Sequence, residues 1–124
     1  MSTDAYLGNP NLKKVNTPVE FTEEQILEYQ KCANDPLYFM EKYIQIVSLD
    51  EGLIPFKMYD FQKKIVNTIH NNRFTICKLP RQSGKSTTTI SYLLHYALFN
   101  ANSNIALLAN KSSTARDILS RLQL

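Results

Sequence analysis

Arg81, Gln82, Ser83, Gly84, Lys85, Ser86 and Thr87 stand in one unbroken run. These residue types suit the chemistry of phosphate. A glycine lets backbone come close to an anion, and a helix opening behind it presents unpaired N–H groups with a dipole that favours negative charge. Lys85 can then reach β- and γ-phosphates, Ser86 can bind Mg²⁺ through its hydroxyl, and Thr87 can hydrogen-bond an α-phosphate oxygen. Gln82 and Ser83 complete the loop that would cradle the nucleotide. Arg81 adds a forked cation that could stabilise charge developing in phosphoryl transfer. The usual phosphate-loop pattern asks for a glycine five places before Gly84, and Leu79 stands there instead. Upstream, Lys57, Tyr59 and Gln62 form a second candidate group. The carboxamide of Gln62 matches the donor/acceptor edge of adenine. Asn110 and Lys111 form a third, placed to touch nucleic-acid phosphates or to couple a nucleotide site to a track.

The elements that must hold these residues can be read from periodicity and caps. Thr22-Glu23-Glu24-Gln25 is a capping box, and its helix runs to about Ala33. Asp35-Pro36 caps and opens a second helix through Tyr43. Ile44–Leu49 and Leu53–Phe56 read as strands about a turn at Asp50-Glu51-Gly52. Asp60 is expected to cap a third helix, Phe61 to His70, with Phe61, Ile65, Val66 and Ile69 on one face. Arg73–Leu79 and Asn104–Ala109 read as apolar strands of the kind found inside a parallel sheet. Between them, a helix from Gly84 to about Phe99 would bury Ile90, Leu93, Leu94, Ala97 and Leu98. A last helix begins near Ser112–Thr114 and is still running at Leu124. Residues 1–20 read as an irregular arm, 21–58 as a helical lead-in with a hairpin, and 59–124 as the beginning of an α/β domain. The expectation is a parallel sheet with helices on both faces. Two strands do not make a covered sheet, so this reading makes the chain the N-terminal piece of a larger protein.

Composition sets the outer bounds. The chain has 124 residues, 44% of them hydrophobic and 20% charged, an ordinary globular mixture. No apolar run is long enough for a membrane span, and the N-terminus lacks the layout of a signal peptide. Cys32 and Cys77 are expected to be buried free thiols, since neither has a Cys or His neighbour at metal-ligand spacing. His70 and His95 have no evident partner, and Tyr92 and Tyr96 suit packing. Charge is unevenly divided. Residues 1–60 hold five Lys/Arg against ten Asp/Glu, a net −5, and residues 61–124 hold nine against one, a net +8. A basic second half suits a polyanion.

Three stretches together carry a resemblance: Tyr59-Asp60-Phe61-Gln62, Leu79 to Thr87, and Ile105 to Lys111. They resemble the large terminase subunit of tailed double-stranded DNA phages, nearest the contractile-tailed myovirus type. Tyr6 to Lys13 and Lys31 to Asp35 extend the likeness over nearly the whole chain. The resemblance implies an incomplete P-loop NTPase fold of the RecA/helicase-like kind and a deviant Walker A loop in which the first glycine is replaced, as Leu79 replaces it here. It implies ATP and Mg²⁺ as cofactors, Arg81 as an arginine finger, and Lys85, Ser86 and Thr87 on phosphate and metal. Gln62 would read adenine, with Tyr59 and Lys57 near the base; an arginine is more usual where Tyr59 stands. It further implies double-stranded DNA, a prohead portal protein and a small terminase subunit as partners. A homo-oligomeric ring of full-length chains would work in the cytoplasm of the infected host, docked on the prohead. Proteins of this kind are ATPases and nucleases, but this sequence has no strand ending in Asp-Glu, no coupling motif and no acidic nuclease cluster. The alternatives are a fragment of a superfamily 2 helicase or restriction translocase, or an inactive remnant that binds a partner.

Overall fold

A computed structural model describes residues 5–122. A short antiparallel hairpin, β1 (Ala5–Tyr6) and β2 (Asn9–Lys13), comes first. Leu7 and Gly8 turn it with positive φ of 51° and 76°, the combination that matches the twist of a tight hairpin. The stretch that reads from sequence as wholly irregular therefore contains paired backbone.

Local signals start the first two helices. In α1 (Glu23–Asn34), the Gln25 N–H donates to the Thr22 hydroxyl and the Thr22 N–H donates to the Gln25 carboxamide oxygen, a complete capping box. Asp35 ends α1 and begins α2 (Pro36–Tyr43), accepting the Tyr38 N–H at 3.2 Å ahead of Pro36 in the first turn. The two helices are joined across their outer faces by Glu28, whose carboxylate accepts from Tyr38, Lys42 and Tyr43. A second hairpin follows, β3 (Gln45–Ser48) and β4 (Gly52–Pro55), with Ile46 opposite Ile54 and Val47 opposite Leu53. Gly52, at φ 74°, closes its turn.

Helix α3 (Asp60–Asn71) begins one residue earlier than expected, so Tyr59 and not Asp60 holds the capping position. Its buried face is Gln62, Ile65 and Val66, while Phe61 is largely exposed. Helix α4 (Lys85–Phe99) buries Thr88, Ile90, Ser91, Tyr92 and His95. Of the apolar stripe read from sequence, only Ile90 is fully buried. The inner face instead follows residues 88, 91, 92, 95 and 99, a helical spacing that mixes polar and aromatic side chains. Helix α5 (Ser112–Leu122) buries no residue completely.

The expected parallel sheet is absent from the described residues. The sheets are two separate antiparallel hairpins. Residues 73–80 and 103–109 adopt no regular secondary structure, and neither segment pairs with any strand. Ile76 is 98% exposed and Leu108 93% exposed. The reason lies in how the helices meet. Val66 of α3 and Tyr92 of α4 share one buried cluster with Cys32, Phe39, Met40, Phe56 and Met58. His70 and Tyr92 also share a hydrogen bond of 3.1 Å between α3 and α4. Helix therefore packs on helix, and the segment between runs outside as a connection. Apolar, β-branched residues favour a strand only when a partner supplies the ladder. The core joins helices α1 to α4 with the Phe56–Met58 segment that leaves the second hairpin, and is not a sheet between helix layers. No helix among the described residues is long and apolar enough to cross a membrane.

Candidate functional site

The loop ahead of α4 has an alternating backbone. Gln82 has φ 61° and Gly84 φ 76°, whereas Ser83 between them has a negative φ. Backbones that alternate between right- and left-handed residues turn successive N–H groups towards one concave side and so hold anions, and the φ signs here suit that arrangement. Gly84 ends the loop as the N-cap of α4 and provides no side-chain cap. Its carbonyl accepts both the Thr88 N–H and the Thr88 hydroxyl, at 3.0 and 2.8 Å. The α4 start is thus held from behind, while its first N–H groups lack a side-chain partner.

Hydroxyl usage then separates the residues of this turn. Thr88, Thr89 and Ser91 donate to the carbonyls four residues before them, each at 2.8 Å. Ser86 and Thr87 make no such bond among the described residues, with Ser86 exposed and Thr87 half-buried. Ser83 has an enclosed hydroxyl oxygen with no hydrogen-bond partner among the described residues. An enclosed hydroxyl without a partner is uncommon in folded chains, and a ligand oxygen is one way to satisfy it. Lys85 bends back across the loop and donates weakly to the Leu79 carbonyl at 3.4 Å. Arg81 is exposed and makes no ion pair among the described residues.

No protein-family model matches the sequence. The remaining candidates are placed as follows. Lys57 and Tyr59 are exposed beside the start of α3, and the Tyr59 ring stacks on Phe61 at 5.9 Å. Gln62 is only 4% exposed, and its carboxamide oxygen accepts the Tyr59 N–H at 2.9 Å. A Cβ built on Gly84 would lie 2.6 Å from the Gln62 amide nitrogen, so α3 touches the loop ahead of α4 through this side chain. The sequence pattern contained the signal: Gln62 falls three residues before Ile65 and four before Val66, on the buried face. Asn110 and Lys111 are exposed just ahead of α5. No hydrogen bond or ion pair joins their side chains to the loop among the described residues.

The loop and the first turn of α4 fit phosphate groups. The exposed Ser86 hydroxyl is the group here that would hold Mg²⁺ beside bound phosphate; no cluster of three His, Cys, Asp or Glu able to hold a metal exists among the described residues. His95 was missed as a structural centre. It is 3% exposed, donates to the Cys32 carbonyl at 2.8 Å, and burial lowers its pKa below the ordinary imidazole value. Cys32 is buried with its thiol pKa raised by desolvation, but Cys77 is exposed, contrary to expectation.

Proposed function

We propose that this chain is the ATP-binding segment of a viral DNA-packaging terminase motor. Its loop from Leu79 to Thr87 takes the phosphates of Mg²⁺–ATP. The observation that carries this reading is the unpartnered Ser83 hydroxyl, enclosed in a loop of alternating handedness that opens into the 15-residue α4. Lys85 leaves the Leu79 carbonyl for the β- and γ-phosphates, and Ser86 and Thr87 bring hydroxyls that no backbone carbonyl has claimed. The Ser86 hydroxyl would hold Mg²⁺, which would supply neutralisation of the phosphate charge. Arg81 serves the γ-phosphate during transfer. The excess of positive charge after residue 60 suits double-stranded DNA as the track. The portal and the small subunit are the protein partners, in a ring of full-length chains in the host cytoplasm.

The test is a titration with Mg²⁺–ATP, comparing the natural chain with Lys85→Ala. A charge-assisted hydrogen bond contributes about 1.5–3 kcal/mol, so the variant should bind roughly tenfold to a hundredfold more weakly. Equal affinity in the two proteins would remove Lys85 from the site. No Mg²⁺-dependent affinity in either would favour the partner-binding remnant, a reading that the bare apolar segments around Ile76 and Leu108 also suit.

A further inference from the structure

We propose that Gln62 is a positioning residue that holds the phosphate loop through Gly84, and that the loop selects its ligand by phosphates and not by base. The second half rests on the nucleotide reading above. Reading adenine requires a carboxamide with both its donor and its acceptor turned to the ligand. Gln62 is 4% exposed, and its acceptor already takes the Tyr59 N–H at 2.9 Å. Its amide nitrogen sits against Gly84, 2.6 Å from where a Cβ would be. The acceptor end is therefore committed within the protein, and the donor end packs against Gly84 without a hydrogen bond among the described residues.

The two things it joins are themselves anchored. Tyr59 is the N-cap of α3. Gly84 is the N-cap of α4, and its carbonyl is fixed by two bonds from Thr88. Gln62 thus sets the distance between two helix starts, and with it the left-handed turn at Gly84 on which the alternation of the loop depends. Swinging Gln62 out to a base would uncap α3 and release the loop together. A rigid loop presents N–H groups without an ordering cost on binding, and that benefit is the same for any triphosphate.

Two measurements on the full chain decide this. The first needs no ligand. The chain has three glycines, so amide spectra resolve Gly84 from Gly8 and Gly52. Gln62→Ala should shift the Gly84 amide resonance and speed its hydrogen exchange, leaving the other two in place. Gln62→Met, which keeps the volume and removes both polar ends, does the same if the alanine variant fails to fold. An unmoved Gly84 resonance overturns the positioning role. The second compares Mg²⁺ complexes of ATP, GTP and inorganic tripolyphosphate. ATP and GTP should bind the natural chain within about threefold of each other, and Gln62→Met should weaken all three ligands by one common factor of about fivefold or more. A preference for ATP above about tenfold that the variant erases, with tripolyphosphate unchanged, overturns the inference and makes Gln62 a base reader. Failure of the natural chain to bind any of the three removes the phosphate-selection half together with the nucleotide reading, and Gly84 still decides the positioning half.

Discussion

At the scale of single residues, backbone handedness and burial decide what each side chain can do. Gly84 combines a positive φ with the Gln62 amide nitrogen where a Cβ would go. Gly84→Ala should cost about 1–2 kcal/mol from the left-handed backbone alone, measured by denaturant unfolding. A variant as stable as the natural chain would show that the loop relaxes freely. Arg81 has the opposite character, being exposed and unpaired among the described residues. In a complete motor, Arg81→Ala should leave ATP affinity largely intact and lower turnover by roughly 10³-fold or more. Lost affinity with normal turnover per bound ATP would end its assignment as a finger. His95 gives a pH prediction. Burial depresses its folded-state pKa, with His70 adding to the effect and Asp35 and the bond to Cys32 opposing it. Below about pH 6.5 the unfolded chain takes up a proton that the folded chain resists, so stability should decline as pH falls through that region. Comparing unfolding midpoints at pH 7.5 and 5.5 in the natural chain and in His95→Phe checks the cause, since the variant should lose that part of the slope.

At the scale of elements, what could be read in advance was what is local. Thr22 with Gln25, Asp35 with Pro36, and Gly52 in its turn are signals that a few neighbouring residues can satisfy by themselves, and the elements they mark are present. The segments 73–79 and 104–109 carry an equally plain apolar pattern and form no strand, because a ladder is a property of two segments and not of one. The loop Arg81 to Thr87 was legible in residue type, and the place of Gln62 on the buried face of α3 was legible in its spacing, but the alternating φ of the loop and the orphan Ser83 hydroxyl are set by tertiary packing. The Leu7-Gly8 turn escaped notice because leucine is an unusual residue at positive φ. The α1–α2 pair has its own pH signature. Lys42, then Tyr43 and Tyr38, hold the Glu28 carboxyl at about 2. The folded chain therefore releases this proton more readily than the unfolded chain, and the contribution is present above pH 4.5 and is lost as pH falls towards 2. Acid titration followed by circular dichroism should show a shallower acid limb for Glu28→Gln. An unchanged limb would mean that solvent screens the exposed cluster completely.

At the scale of the whole molecule, stability depends on one cluster shared by α1, α2, α3, α4 and the strand exit at Phe56. Met40 is completely buried at its centre. Met40→Ala should destabilise the chain by about 2–5 kcal/mol, a large share of what a small domain has. A loss below about 1 kcal/mol would mean that the cluster closes over the cavity.

The contrast between the two cysteines gives the molecule a built-in clock. Cys32 is enclosed in the core with a thiol made less acidic, and Cys77 is open on the unpaired segment leading to the loop. A thiol-directed alkylating reagent should consume one equivalent quickly at Cys77. The second equivalent should enter only as fast as the helices part. The lag between them reads the opening rate of the fold from inside, and the first label reports whether a ligand at the loop shelters the approach to it.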